Sequence, residues 1–433
     1  MRHPRHACAL VLLLTACGGD SESLPDARTG TAGVDAPAGV DAPGPGVVRL
    51  TIRPPTANVP VVFLDADDNM VATVMTDAAG QAQATMAAGG SVTVIAGDGG
   101  PPAGLPSTSL VTFLATKPGD ELTLPGPRPP SVTHQVTVPT LAGASLYEVL
   151  TSCDAGATVA TPTLTMSLPC SGPTTFMVRA QVGAGFQSFH ASVDVPATPD
   201  PITVTGTYRS PTAVDVTVRG LPASVTLAEV RTSRIADSVV INSGGFGDVP
   251  SGGVLTAPDV EVDDLPGLDL GTSALLSRPA GGPARELQAL YDRRAFTDAV
   301  ELDAGPTLLP WIAATAIDVK VSRLTWLAQG SGSGDLVLAV AQLVGRTAGL
   351  RRWVVIGPAD GTSLPLPRLP APYAALGVAP DDTTSVETMV MLGGPGSYDE
   401  LRPTAATITG PGGPMVLVGP GELLAASIRT TAD

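Results

Sequence analysis

Glycine and proline recur along the whole chain and leave little room for long helices. The 433 residues include 49 glycines and 43 prolines, and both residue types are unfavourable in the interior of a helix. The hydrophobic content of 43% is still ample for several cores and argues against a disordered chain. We therefore expect a series of folded modules between these interruptions.

Short stretches of alternating apolar and polar residues indicate the type of module. Val48, Leu50 and Ile52 fall on one face of an extended segment and their neighbours on the other, and similar stretches separated by turn residues continue along the chain. This spacing is typical of β-sandwiches. We predict an all-β protein of tandem antiparallel β-sandwich modules that follow one another as a string, with the last module outermost. The predicted modules cover residues 47-127, 131-200, 201-305 and 306-433.

The first residues have the features of an export signal. Arg2 and Arg5 precede a short apolar run that ends at Leu14, far short of the roughly 20 apolar residues needed to span a membrane. The sequence Leu-Thr-Ala-Cys up to Cys17 resembles that of bacterial lipoproteins. The resemblance implies that a signal peptide, residues 1-16, is removed and that fatty acyl chains on Cys17 hold the protein to the membrane. An ordinary cleaved signal or a membrane span is the alternative interpretation.

The residues after Cys17 predict where the protein is located. Gly18 follows the cysteine, which resembles the pattern of lipoproteins sorted to the outer membrane of Gram-negative bacteria. Residues 17-46 contain two Gly-Val-Asp-Ala-Pro repeats and almost no large apolar side chains. We interpret this segment as a disordered tether between the lipid and the first module. The predicted localisation is the cell envelope, with the lipid anchor as the contact with the membrane.

The charge of the chain argues against nucleic acid as a partner. The formal net charge is -16, and the lysines are Lys117 and Lys320, with the arginines scattered. Neutralising phosphates requires clustered basic residues. Surface glycans and exported proteins remain as candidate partners.

The cysteine count predicts one disulfide. Cys8 leaves with the signal peptide and Cys17 carries lipid, so Cys153 and Cys170 remain as a pair. Two leftover thiols in an oxidising exported compartment favour a disulfide, which would contribute about 3 kcal/mol to stability. Metal ligation or a reactive thiol are the competing interpretations, and they lack companion cysteines.

Part of the first module resembles a known family. Val61 to Asp65, the turn Asp67-Asp68-Asn69 and the segment Thr76 to Ala82 resemble the central hairpins of carboxypeptidase-regulatory-like, or transthyretin-like, modules. The resemblance implies a β-sandwich for residues 47-127. The later modules resemble fibronectin-type-III-like sandwiches in strand spacing. Residues 284-295 fit a short helix or a strand, and we favour the strand.

Two groups of acidic residues are candidates for metal ligands. Asp65, Asp67 and Asn69 have the spacing that opens a calcium loop, but Met70 and Thr76 stand where that loop requires glycine and glutamate. We interpret the segment as a hairpin turn and keep the three residues as weak metal candidates. We expect Asp259, Glu261 and Asp263 on one face of a strand. They could share a divalent ion there, but we favour a solvated surface without a ligand.

The chain lacks a recognisable catalytic or cofactor motif. A serine nucleophile motif, Gly-x-Ser-x-Gly, does not occur, so His134 and His190 are interpreted as structural. The loop Gly330 to Gly334 does not have the spacing of a dinucleotide-binding sequence. We predict no cofactor and no enzymatic activity. A hydrolase built from two distant carboxylates remains as a less favoured alternative.

All three tryptophans fall in the last predicted module. Trp311, Trp326 and Trp353 either fill its core or form an exposed platform that stacks on sugars. Trp326 is the weak candidate for such a ligand-binding platform. The resulting hypothesis is adhesion or ligand display at the cell surface, with a carbohydrate-binding surface lipoprotein as the alternative.

Overall fold

The computed structural model describes residues 44–97, 107–127, 130–236, 239–279, 284–345, 349–409 and 413–431. The predicted signal peptide, Cys17 and the predicted tether through residue 43 lie outside the described residues. β-Strands dominate the described part of the chain, which confirms the all-β prediction. Within these ranges, the helical segments are all too short to cross a membrane.

The strands fall into four groups, which we call the first to fourth modules. The first module contains β1 (Gly46–Arg53), β2 (Pro60–Leu64), β3 (Met70–Met75), β4 (Gln81–Met86), β5 (Gly90–Gly97), β6 (Ser107–Thr116) and β7 (Glu121–Pro125). The second contains β8 (Val132–Thr137), β9 (Ala144–Thr151), β10 (Asp154–Val159), β11 (Thr163–Leu168), β12 (Gly172–Val182), β13 (Gly185–Val195) and β14 (Ile202–Thr203).

The third and fourth modules complete the chain. The third contains β15 (Thr212–Arg219), β16 (Leu227–Ala236), β17 (Val239–Asp248), β18 (Leu255–Val262), β19 (Asp269–Ser277), β20 (Arg285–Arg294) and β21 (Ala299–Asp303). The fourth contains β22 (Trp311–Asp318), β23 (Arg323–Gln329), β24 (Leu336–Gly345), β25 (Gly349–Pro358), β26 (Ser363–Pro365), β27 (Thr383–Gly393) and β28 (Glu422–Thr430). Its short helical segments are α1 (Tyr398–Leu401) and the 3-10 turns Ala374–Leu376, Arg402–Thr409 and Gly413–Leu417.

One continuous sheet joins three of the modules. Its 12 strands run in the order β17-β16-β19-β20-β28-β27-β24-β25-β6-β5-β2-β3. The third and fourth modules meet where β20 pairs with β28 in antiparallel fashion, and the fourth and first meet where β25 pairs with β6 in parallel. The predicted string of modules with the last one outermost is therefore wrong, because the fourth module lies between the third and the first. We call these three modules together the three-module body.

Both faces of the 12-stranded sheet are covered, which explains its nearly continuous apolar strands. In β24, Val337 and Ala339 face one core, whereas Leu338 and Val340 face the other. The smaller sheets of the third and fourth modules, β18-β15-β21 and β22-β23-β26, cover the first face. The sheet β4-β1-β7 of the first module covers the opposite face.

Two segments of the fourth module seal the joints between modules. Leu366 and Leu369, after β26, pack in the same core as Val62 and Leu64 of the first module. On the opposite face, Ala405 and Ile408 share a core with Leu122 and Leu124 of β7 in the first module. The inter-module contacts are therefore part of the hydrophobic cores rather than surface contacts.

Polar contacts of buried groups reinforce the joint between the first and fourth modules. The Trp353 side chain is fully buried and its Nε1 donates to Thr112 Oγ1 at 2.9 Å. Arg402 is also fully buried, and its Nη2 lies 2.6 Å from Asp120 Oδ1 and 3.0 Å from Asp399 Oδ1. A buried ion pair fixes geometry because breaking it leaves an uncompensated charge.

The second module stands apart from the 12-stranded sheet. Its own two sheets, β10-β9-β12-β13 and β11-β8-β14, enclose a separate core around Phe176 and Val149. Cys153 and Cys170 form a disulfide with a Cα–Cα distance of 6.0 Å, which confirms the predicted pairing. The segment at 284-295 contains strand β20, as favoured from its alternation.

Candidate functional site

Two clefts lie between modules and contain residues that the sequence singled out. The first, the Ser91 cleft, has a volume of about 470 Å³ and lies between the first and fourth modules. Its polar lining includes Asp65, Asp67, Asp68, Ser91, Arg323 and Asp360. The second, the His190 cleft, has a volume of about 580 Å³ and lies between the second and third modules. Both volumes are in the range of ordinary ligand sites.

The rim of the Ser91 cleft is the turn between β2 and β3. Asp65 Oδ1 accepts hydrogen bonds from the backbone N–H groups of Asp67 and Asn69 at 2.9 and 2.8 Å, and its Oδ2 accepts from Asn69 Nδ2 at 3.1 Å. These bonds from Asn69 hold the pKa of Asp65 below its usual range. Asp65 therefore shapes the turn, and both of its oxygens are already engaged.

The next acidic residue of the turn is in a different environment. Asp68 adopts a left-handed φ of 61°, and its Oδ2 accepts from the backbone N–H of Arg368, in the fourth module, at 3.3 Å. Burial raises the pKa of Asp68, and the bond from Arg368 partly offsets that effect. The turn is thus anchored across the cleft to the opposite module.

Ser91 lies at the base of the cleft. It pairs with Leu64 across β5 and β2, so its side chain lies on the same face of the sheet as Leu64, the face toward the fourth module. Ser91 is only 4% exposed, and its Oγ has no hydrogen-bond partner among the described residues. Its neighbour must be glycine, because a Cβ at Gly90 would lie 2.2 Å from the Leu64 carbonyl oxygen.

The remaining charged groups come from both sides of the cleft. Asp67 and Asp360 are exposed, and in the described part of the chain neither carboxylate makes a hydrogen bond or ion pair. The guanidinium of Arg323 is already engaged, since its Nη1 donates to Ser363 Oγ at 2.8 Å. The cleft therefore contains four carboxylates against one guanidinium and has a negative potential.

The His190 cleft has a more balanced polarity. His190 Nε2 forms a hydrogen bond of 3.0 Å with the carbonyl oxygen of Pro266, which joins the second module to the third. Arg293 Nε forms a salt bridge of 2.8 Å with Asp269 Oδ2. Thr175 and Ser192 add hydroxyl groups. The charged groups of this cleft thus already satisfy one another.

The two groups of metal candidates lie in separate segments, the turn after β2 and the end of β18. Asp65, Asp67 and Asn69 form the turn described above, and the described ranges contain no cluster of three His, Cys, Asp or Glu side chains suited to a metal. The expectation that Asp259, Glu261 and Asp263 share one face is wrong. Asp259, which has a φ of 52° at a bulge opposite β15, and Glu261 are both exposed, whereas Asp263 lies beyond the end of β18. Asp263 is buried and accepts from Ser243 Oγ at 2.8 Å.

The aromatic and histidine candidates lie in structural positions. Trp326 is 6% exposed and Trp353 is fully buried, so both belong to the core of the three-module body. The idea of Trp326 as an exposed sugar platform is contradicted by this burial, because β23 turns that side chain toward the 12-stranded sheet. His134 is 1% exposed, and its Nδ1 lies 3.0 Å from the carbonyl oxygen of Asp200.

Sequence reasoning missed Ser91, Arg323 and Asp360. Ser91 follows a Gly-Gly pair, which reads as an ordinary hairpin turn, and Asp360 lies in a loop without a motif. These residues come together through tertiary contacts between the two modules, including the parallel pairing of β6 with β25. The one available signal was that the Asp65 turn had too many carboxylates for a plain turn.

Comparisons with known proteins give only distant likenesses. No protein-family model matches the chain, and no curated protein matches it. Among solved structures, the Bacillus anthracis TIE protein is 10% identical over 60% of this chain, with a TM-score of 0.15, and a streptococcal ancillary pilin has the same identity, coverage and score. The likeness spans 50% of the TIE protein and 98% of the pilin. Trypsin-activated alpha-2-macroglobulin from Escherichia coli is 9% identical over 77% of this chain and 27% of its own length, with a TM-score of 0.14. At these scores the likenesses carry no inference about this chain.

Proposed function

We propose that this protein is a lipid-anchored, exported binding protein that displays a rigid β-sandwich body at the cell surface and does not act as an enzyme. The observation that carries the proposal is the 12-stranded sheet that fuses three modules. Because the joint between the first and fourth modules is part of the cores, the Ser91 cleft between them is preformed, which lowers the entropic cost of binding.

The proposed location rests on the sequence. The Leu14-to-Cys17 pattern and the following Gly18 support a lipid anchor at the outer membrane of a Gram-negative bacterium. Two or more acyl chains on one cysteine give stable attachment without a membrane-spanning helix. The disulfide of the second module is the kind of bond that persists in exported proteins.

The geometry of the clefts supports binding rather than catalysis. An acid and base pair requires two carboxylates free to exchange protons with a substrate. In the Ser91 cleft both oxygens of Asp65 are engaged by turn amides, which leaves Asp67 and Asp360 as the free carboxylates. His190 uses its Nε2 to bond the Pro266 carbonyl. These contacts leave Asp65 and His190 unsuited to acid and base catalysis, so the hydrolase alternative would depend on Asp67 and Asp360.

The choice between partners follows from the burial of the tryptophans. Trp326 and Trp353 lie in the core, which removes the aromatic platform on which the carbohydrate alternative depended. We therefore favour an exported protein or peptide as the displayed ligand.

Anchoring is tested by changing the lipidated cysteine. The Cys17→Ala chain should lose labelling by a clickable fatty acid and move from the membrane to the soluble fraction. Cys8→Ala is the matched control, because Cys8 lies within the predicted signal peptide and should leave labelling intact. Labelling that persists in Cys17→Ala would refute the anchor.

Binding is tested with the full chain purified in detergent. It is applied to a glycan array and to a library of peptides from exported proteins. Selective binding of peptides supports the proposal, whereas selective binding of glycans favours the carbohydrate alternative. Turnover of any glycan during the same incubation would reinstate a hydrolase.

A further inference from the structure

We infer that the Ser91 cleft binds a primary ammonium group on an aliphatic chain, as in a lysine side chain of an extended partner peptide. The inference rests on the proposed display function and names the chemistry of the ligand. The motivating observation is Ser91, a lining residue that is only 4% exposed, has its side chain on the cleft face of the sheet and has an Oγ without a partner among the described residues.

A buried hydroxyl without a hydrogen bond is costly, and such groups are uncommon in folded proteins. Ser91 lies in a strand whose backbone is fixed by pairing with β2 and by the close approach at Gly90. The backbone of Ser91 is therefore held in place at the base of the cleft, and only rotation about χ1 is left to direct its Oγ. A ligand that donates a hydrogen bond there would satisfy it.

Two carboxylates provide the charge that selects a cation. Asp67 comes from the first module and Asp360 from the fourth, and each is exposed, with no partner in the part of the chain that the structure covers. The carboxylates of Asp65 and Asp68 already accept hydrogen bonds from backbone amides, so they contribute to the negative potential but not to the free acceptors. The available acceptors of the cleft are thus two carboxylates and one hydroxyl.

This acceptor set fits an ammonium better than other cations. An ammonium has three donors on one atom, whereas a guanidinium favours a planar, bidentate carboxylate. A divalent metal ion would need a group of oxygen ligands, and the described residues hold no cluster of three His, Cys, Asp or Glu side chains placed to bind one. The fit therefore selects a primary amine.

The walls of the cleft fit the aliphatic chain of such a ligand. Leu114, Leu364 and three prolines, Pro358, Pro365 and Pro367, line the cleft beside the acceptors. Lysine side chains commonly pack their methylene groups on apolar surface while the charged end reaches polar groups. The volume of about 470 Å³ accommodates a side chain with adjoining backbone.

The test measures binding of a pentalysine peptide to the purified full chain by isothermal titration calorimetry at low salt. An alkyl diamine distinguishes a free amine from a peptide as the source of the ammonium. A peptide of acetylated lysines keeps the methylene groups and removes the charge. We expect binding of pentalysine, weaker binding of the diamine and no binding of the acetylated peptide.

Two variants locate the site. Asp67→Asn with Asp360→Asn should weaken pentalysine binding about tenfold or more, as expected for lost bonds to a charged group. The matched control, Asp194→Asn with Asp298→Asn, removes the same charge from exposed positions in the second and third modules and should change affinity less than about twofold.

Ser91→Ala distinguishes specific binding in the cleft from nonspecific attraction of pentalysine to an acidic protein, because the substitution changes no charge. It should weaken binding severalfold while leaving thermal stability unchanged or raised, since an unsatisfied buried group is removed. Equal weakening by both double variants, or unchanged affinity of Ser91→Ala, would overturn the inference. Fractionation of the Cys17→Ala chain tests the lipid anchor separately from ligand binding. A cleft that does not bind pentalysine can therefore be distinguished from a protein that is not anchored to the membrane.

Discussion

The second module and the three-module body are built from the same kind of strand but are stabilised differently. The second module encloses its own core and closes it with a disulfide. In the three-module body, the two large cores each take residues from more than one module. The difference lies in the edges of the sandwiches, because in the body β20 and β6 pair with strands of the fourth module.

Contacts between the two regions are limited and partly polar. A small apolar cluster of Met177, Ala236, Ile241 and Leu265 joins them, together with a 3.5 Å ion pair between Arg179 and Asp263. Small, mixed interfaces resemble transient contacts between domains. We therefore expect the second module to unfold separately and the three-module body to unfold as one unit.

The largest effect is expected for Trp353→Ala. The substitution removes a fully buried side chain and its bond to Thr112, which should cost the three-module body about 4 kcal/mol. Because the sheet is continuous, amide hydrogen exchange should accelerate in the first and third modules as well as in the fourth. Denaturant unfolding, followed by the fluorescence of Trp311 and Trp326, measures the loss of stability. Mass spectrometry of the folded protein measures hydrogen exchange in each module.

A similar truncation in the core of the second module provides the control. Phe176→Ala empties the core of the second module and should accelerate exchange in that module alone. If Trp353→Ala left exchange in the first module unchanged, the three modules would be independent and the comparison would fail.

A second, slightly smaller effect is expected at the joint of the first and fourth modules. Arg402→Met leaves the 7% exposed Asp120 without its charged partner, at a cost of about 3 kcal/mol. Adding Asp120→Asn should recover part of the loss, because the isolated charge is then removed. A double-mutant cycle in urea, followed by tryptophan fluorescence, measures the coupling, and purely additive losses would mean that the pair does not hold the joint.

Removing the disulfide tests the second module by itself. Cys153→Ser with Cys170→Ser should lower the stability of that module by about 3 kcal/mol. The tryptophans Trp311, Trp326 and Trp353 all lie in the fourth module, so the tryptophan unfolding midpoint should stay constant while hydrogen exchange in the second module accelerates. A shifted tryptophan midpoint would show that the two regions unfold together.

The smallest effect is expected at alkaline pH in the three-module body. Burial raises the pKa of Tyr291 from 10.0 to about 12. Between these values the folded state retains a proton that the unfolded chain releases. The contribution of Tyr291 to the free energy of unfolding is therefore complete below pH 10.0 and is lost as the pH approaches 12. Tyr291→Phe should flatten the fall in stability over this interval, and an identical pH profile in the variant would argue against Tyr291 as its cause.

Local sequence patterns predicted the strand content well. Val48, Leu50 and Ile52 alternate as expected and lie in one core, and the pairing of Cys153 with Cys170 followed from counting thiols. The alternation did not predict the bulge at Asp259 in β18, nor that the strand ends before Asp263, which is buried. The pattern carries no information about such an extra residue, because the bulge depends on the partner strand.

The candidate site was only half accessible from the sequence. The turn from Asp65 to Asn69 was identified, since its residues are neighbours in the chain. Ser91 and Asp360 could not be associated with it, because they meet only after β6 pairs with β25. For Trp326 the burial supports the core interpretation over the platform alternative, and the sequence could not decide between them because burial depends on which sheet packs over β23.

The sequence by itself determined that the chain forms short strands with alternating faces, since glycine, proline and side-chain periodicity act over a few residues. The tertiary structure alone decided that three sandwiches share a single sheet and that two of them form an acidic cleft. The physical reason is that an edge strand offers unpaired amide and carbonyl groups to any suitable strand. Which strand takes that place depends on contacts between residues far apart in the chain, as between Trp353 and Thr112.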